Sequence, residues 1–225
     1  MKNILAGLLL LPCLCGSAAS YTGRVYVDQN RNHQYDQGEK VLSGVSVSDG
    51  LNVVQTDKQG HFNLPGHVDE RFIFITLPSG YRADTYYHRI VSEQSNYDFG
   101  LQSANPRSLS KDGTHRFVHI SDTHIADWDK TATDGHAASA KDLRDYVENE
   151  NIAFVLHTGD ITREGFASYK EFLNNENLPS SQIFYGIGNH DLGKGKYGEE
   201  SFVNFFGPVY YSFEVGNIRY IVTPM

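Results

Sequence analysis

Three apolar runs, each followed at once by residues with oxygen or imidazole side chains, constrain this chain more than any other feature. Arg116 to Ser121 runs into Asp122-Thr123-His124, Ile152 to Thr158 into Gly159-Asp160, and Gln182 to Ile187 into Gly188-Asn189-His190-Asp191. Two segments with helical patterning, Ala137 to Asn149 and Ala167 to Asn177, stand between them. Strands alternating with helices predict βαβ crossovers and hence parallel pairing. Ligands of open parallel sheets bind beyond the carboxyl ends of the strands, which is where these polar residues fall. Two further runs, Tyr210 to Val215 and Asn217 to Thr223, are joined near Gly216 and predict a hairpin.

The three strand ends read as a donor set for metal. Asp122 and His124 are two residues apart, so an extended backbone would project them to one side, where an oxygen and a nitrogen grip one cation. Asp160 has two carboxylate oxygens and is suited to bridge two cations about 3.5 to 4 Å apart. Asn189 adds a neutral amide oxygen, and Gly159 and Gly188 let the backbone turn sharply beside the metals. Each motif taken alone has a plainer reading, as a helix cap or a tight turn. Their order on three successive strands favours the metal reading. His119 and His157 fall within strands and read as core or sheet residues, and His136 as a helix cap or a solvent-facing residue.

Residues 21–102 have a different pattern. Short alternating or aromatic-rich runs (Gly23 to Val27, Val45 to Ser48, Asn52 to Thr56, His61 to Leu64, Arg71 to Leu77, Tyr97 to Leu101) are separated by turn residues and predict a small all-β sandwich. The polar stretch 103–113, which contains Pro and Gly, reads as a linker to the α/β part at 114–225. Tyr81, Tyr86 and Tyr87 read as core or loop packing, with partner binding as the alternative. Within the β-rich part, Asp28, Asn30, Asn32, Asp36 and Glu39 occupy positions 1, 3, 5, 9 and 12 of a calcium loop. His33 stands where such loops have Gly, and an Asn/Asp-rich turn is the competing reading.

Residues 1–20 read as a secretory signal peptide, with Lys2, an apolar run from Ile4 to Leu14 and small residues from Gly16 to Ser20. The run is too short for a permanent membrane span, and nothing later is longer. Pro12 and Leu14 stand where a lipid anchor at Cys13 or Cys15 would need a small residue, which argues against anchoring. The exported, periplasmic or secreted product would then carry neither cysteine and no disulfide. A formal net charge of -8 without a Lys/Arg cluster argues against a dedicated nucleic-acid surface.

In order, Asp122-Thr123-His124, Gly159-Asp160 and Gly188-Asn189-His190-Asp191 resemble the opening signatures of calcineurin-like metallophosphoesterases. The β-rich part resembles the N-terminal β-sandwich domains attached to secreted members of that family, and also calcium-loop B-type repeats, which would imply a structural calcium at most. The resemblance implies an α/β sandwich fold and hydrolysis of a small phosphate ester, either a monoester or a diester. It implies two divalent or transition metal ions, such as manganese, iron or zinc, that activate water and neutralise phosphoryl charge. Asp122, His124 and Asp160 would hold the first, and Asp160 and Asn189 the second. His190 would stand beside the substrate as the acid for the leaving group. Asp191 would orient His190 or its loop, or simply make a turn. The family pattern continues with a further metal-binding His and a Gly-His-x-His element, whereas no histidine follows His190. The expectation is therefore the N-terminal part of a catalytic domain, truncated before most of its second sheet and active only when completed. The competing expectation is a noncatalytic secreted β-sandwich module with a truncated or degenerate phosphoesterase remnant. Neither selects an oligomeric state.

Overall fold

The computed structural model describes residues 20–67, 71–104, 109–125, 130–162, 166 and 179–224, with backbone alone for 130–137. The expected leader with its cysteines, the expected helix Ala167 to Asn177 and the His136 side chain lie outside the described residues. Alternation organises the first half of the chain. In β4 (His61–Pro65), Phe62 and Leu64 are buried while His61, Asn63 and Pro65 are exposed, the period of a half-buried strand. It joins β1 (Ser20–Val27), β8 (Phe99–Ser103) and β6 (Tyr81–Arg82) in a sheet ordered β4-β1-β8-β6. A second sheet, ordered β3-β2-β5-β7, consists of β3 (Val53–Gln55), β2 (Ser46–Ser48), β5 (Phe72–Ile75) and β7 (Tyr87–Arg89). Val25, Leu64, Phe99 and Leu101 of the first sheet and Val47, Ile73 and Ile75 of the second are buried in one core. The six expected runs correspond to six of these eight strands. The other two, β6 and β7, are two and three residues long and fall outside the expected runs.

Three parallel strands form the centre of the second half. β9 (Val118–Ile120), β10 (Val155–His157) and β11 (Ile183–Tyr185) lie in the order β11-β10-β9, with Val118 and Ile183 both beside Val155. Helix α1 (Lys130–Asn149) connects β9 to β10 and starts seven residues before the expected Ala137. It covers one face of the sheet, where Val147, Ile152 and Val155 make a small core with Leu143, Val118, Ile120 and Ile183. The other face meets the hairpin of β12 (Tyr211–Val215) and β13 (Ile218–Val222). There Phe213 stacks on Phe184 at 3.5 Å and on Tyr220 at 5.1 Å, with Phe154 edge-on to it at 5.1 Å. A short helix not expected from the sequence, α2 (Glu200–Phe206), buries Phe202 and Val203. The architecture is thus α/β, preceded by an all-β part.

The two halves share one apolar core, which runs from Val25 and Ile73 through Tyr86 to Phe154, Phe184 and Phe213. The strand edge of β12 is bonded to the segment after β5: Leu77 N–H donates to the Ser212 carbonyl at 3.3 Å, and Glu214 N–H to that of Leu77 at 2.8 Å. This pairing covers the β12 edge. All four residues of β5 are buried because both of its faces are covered. Phe74 meets Tyr210 at 6.0 Å, while Ile73 and Ile75 point to the opposite face. Tyr86 is 7 % exposed and packs on Tyr211 at 5.0 Å, so it is a core residue rather than a docking surface.

Candidate metal centre

The first two strands end at Ile120 and His157, and their loops then run side by side. Asp122 N–H donates to the Gly159 carbonyl, His124 N–H to that of Asp160 (3.0 Å each), and Ile125 N–H to that of Ile161 at 2.9 Å. The expectation that Asp122 and His124 converge because an extended backbone alternates is corrected here. Both are in the left-handed region, with φ of 57° and 45°, as is Asp160 at 52°. Two turns in succession, held by the neighbouring loop, aim the side chains together. His124 Nε2 lies 3.8 Å from Asp122 Oδ1 and 3.9 Å from Asp160 Oδ2. Two donors each about 2.1 Å from one ion can be at most about 4.2 Å apart, so His124 is close enough to share a cation with either carboxylate.

Asp160 presents its two oxygens to different neighbours. Oδ2 faces His124, and Oδ1 accepts the His190 N–H at 2.8 Å, on the side of the third strand end. The backbones approach so closely there that no Cβ fits. One added at Gly188 would lie 2.3 Å from Asp160 Oδ1, and one at Gly159 2.3 Å from the Gly188 nitrogen. Gly159 also has a φ of 112°, the conformation expected of a sharp turn. Gly188 has a φ of -105°, so it is required for space and not for its torsion.

Asn189, His190 and Asp191 form a single 3-10 turn after β11. Asn189 lines the same cleft as Asp122 and Asp160. The His190 ring stands 4.6 Å from that of His124. Ligand atoms of His124, Asp160 and His190 lie within 4.8 Å of one another, the one such group of three or more His, Cys, Asp or Glu among the described residues. Asp122, 67 % exposed at its side chain, stands beside this group through His124.

Asp191 is 3 % exposed and lies beneath the cleft. Its Oδ1 accepts the N–H of Ile161 (2.8 Å) and Thr162 (3.2 Å), and its Oδ2 that of Gly188 (2.9 Å). Burial pushes its carboxyl above the usual range, against the pull of these amides. Of the roles expected for Asp191, these bonds fit that of holding its loop: they clamp the second strand end to the third.

Two residues of this scaffold were not read from the sequence as a unit. His157 is 1 % exposed and accepts the Gly159 N–H at Nδ1 (3.3 Å), while Nε2 meets the Thr123 hydroxyl at 3.0 Å. Thr123 in turn donates to the Ile161 carbonyl at 3.0 Å. A neutral imidazole protonated at Nε2 satisfies every bond in this chain, and burial lowers the His157 pKa to about 4. His119 is exposed and bonds the Thr158 hydroxyl at 2.8 Å.

Residues 115–223 match the family model described as Calcineurin-like phosphoesterase, and residues 29–104 that described as N terminal of Calcineurin-like phosphoesterase. Residues 115–223 belong to the calcineurin-like phosphoesterase family. No match to the chain was found among curated proteins. The family's chemistry is metal-dependent hydrolysis of phosphate esters, typically with two metal ions, and the phosphoesterase domain brings together at the strand ends a group of side chains able to hold a metal ion. Its cleft has a volume of about 740 Å³ and reaches past the donors to Ile187, Leu192, Tyr197, Glu199 and residues 221–224. The glycine-rich stretch after His190 was the sequence signal that would have pointed to Leu192 and Tyr197.

In the N-terminal part, the loop carboxylates face their own backbone. Asp28 accepts the N–H of Asn32 (3.2 Å) and His33 (2.9 Å), and Glu39 those of Gln29 (2.9 Å) and Asp36 (3.0 Å). Asp36 Oδ2 takes amide N–H bonds from the side chains of Asn30 (2.7 Å) and Asn32 (2.8 Å). These are the bonds of an Asx-rich turn. Spacing alone carries the calcium reading of Asp28, Asn30, Asn32, Asp36 and Glu39. Among the described residues no helix is long and apolar enough to cross a membrane.

Proposed function

We propose that the protein is an exported hydrolase of phosphate monoesters or diesters. In this reading Asp122, His124 and Asp160 hold one divalent cation, Asp160 and Asn189 hold a second, and His190 protonates the departing alkoxide. The placing of Asp160 supports it best, with one oxygen 3.9 Å from His124 and the other bonded beside Asn189 and His190. Bound cations supply an activated water and neutralise charge on the phosphoryl oxygens. The protein's own residues give the rest. Asp191 holds the second and third strand ends together, His157 and Thr123 fix the first against the second, and His190, in the same group of donors, is the residue to which this reading gives the acid role. Export is supported by the leader-like segment and by the confinement of both cysteines to it.

Elemental analysis and a chromogenic phosphate ester test the assignment together, with manganese, iron and zinc supplied in separate arms. Asp160→Ala is expected to lose bound metal and all measurable turnover. His190→Ala is expected to keep its metal while kcat falls by about 10²- to 10⁴-fold. Undiminished turnover in Asp160→Ala would overturn the assignment. A wild-type chain that takes up no metal would favour the noncatalytic module.

A further inference from the structure

The cleft is lined by two kinds of side chain, the polar Asp122, Asp160 and Asn189 and the apolar or aromatic Ile187, Leu192 and Tyr197. Leu192 and Tyr197 are each 53 % exposed, although both are large and apolar. The segment that presents them is built to hold its place. Gly193 N–H donates to the Gly198 carbonyl at 2.7 Å, and Tyr197 N–H to Glu200 Oε1 at 3.0 Å. Glu200 fills the space beside Gly195, where no Cβ fits. A further brace comes from the other half of the molecule. Arg71, immediately before β5, forms an ion pair with Glu199, itself a residue of the cleft, and its guanidinium lies 4.9 Å from the centre of the Tyr197 ring.

We infer that Leu192 and Tyr197 form a subsite for the organic group of the ester, with Arg71 of the N-terminal domain as the positioning residue that sets the Tyr197 ring. The inference rests on the phosphoesterase reading. With phosphorus at the metal ligands, the alcohol portion of the substrate extends along the same cleft, which Leu192 and Tyr197 also line. An apolar and aromatic lining selects an aryl or bulky apolar alcohol over a small alkyl one, through ring packing and displacement of water. Arg71 is suited to the positioning role because a guanidinium bonds a carboxylate through a planar fork and packs on a ring at the same time.

Calorimetric titration of the manganese-loaded full chain with phenylphosphonate, methylphosphonate and inorganic phosphate tests this without turnover. Wild type is expected to bind phenylphosphonate about tenfold more tightly than methylphosphonate. Tyr197→Ala is expected to bring that ratio close to one with phosphate affinity unchanged. Arg71→Ala is expected to lower the ratio, Arg71→Lys to restore part of it, and Arg71→Ala combined with Tyr197→Ala to go no further than Tyr197→Ala alone. If Arg71→Ala fails to fold by thermal melting, the Lys variant and the exposed Tyr197 carry the comparison. An unchanged ratio in Tyr197→Ala, with phosphate still bound, would overturn the subsite and leave the phosphoesterase reading standing. Wild type that binds no phosphate with manganese present would overturn both.

Discussion

Asp122, His124 and Asp160 are three of the six non-glycine residues with left-handed φ among the described residues. That conformation costs about 1 kcal/mol or more for a residue with a Cβ, though Asp and His tolerate it better than most. Loop-to-loop hydrogen bonds and the Asp191 clamp offset the cost, and strain concentrated on the residues proposed as ligands is in keeping with a functional site. His157 shows the same economy of bonds beneath the site. Its folded-state pKa of about 4 lies below the ordinary 6.5, so between these values the unfolded chain binds more protons than the folded one. Stability from this residue is therefore fully present above pH 6.5 and is lost as pH falls toward 4, by up to about 3 kcal/mol. Urea unfolding at pH 7 and pH 5 is expected to show a drop in midpoint for wild type that His157→Gln reduces. Equal drops in both would show that other groups cause the acid sensitivity.

Single elements are ended by residues that a reader of the sequence can find. Helix α1 stops where Asn151 takes a φ of 55°, and Ile152 N–H closes back on the Val147 carbonyl at 3.1 Å. This is the 6→1 bond of a Schellman motif, with asparagine in the place usually taken by glycine. Asn151→Ala is expected to destabilise the protein by about 1 kcal/mol, while Asn151→Gly is close to neutral. Paired urea midpoints check this, and a neutral Ala variant would mean that the turn relaxes out of the left-handed conformation. Helix α2 ends at Gly207 with a φ of 87°. A Cβ there would lie 2.3 Å from the ring of Tyr87. The second case depends on a residue of the other domain, so its necessity is visible only after folding.

Across the whole molecule the aromatic stack of Phe154, Phe184, Phe213 and Tyr220 joins the parallel sheet to the hairpin, and Leu77 and Tyr86 tie the hairpin side to the N-terminal sandwich. Phe213→Ala is expected to cost about 3 to 5 kcal/mol. Because one core serves both halves, that loss is expected to shift a single cooperative transition. Two separated transitions in differential scanning calorimetry, with only one moved by the substitution, would contradict a shared core.

The parallel pairing of β9, β10 and β11, the alternation within β4 and the identity of the donors at each strand end follow from the sequence alone. They depend on local period and on what immediately follows each apolar run. The turns that aim Asp122 and His124 do not, since they are held by bonds to residues about 35 positions away. The role of Asp191 depends on amides 29 and 30 residues distant. The brace from Arg71 to Glu199 spans 128 residues. No local pattern encodes such pairings. Which donors are present was therefore decided by the sequence, while how they converge, and which domain braces Glu199 and Tyr197 in the cleft, was decided only when distant segments packed together.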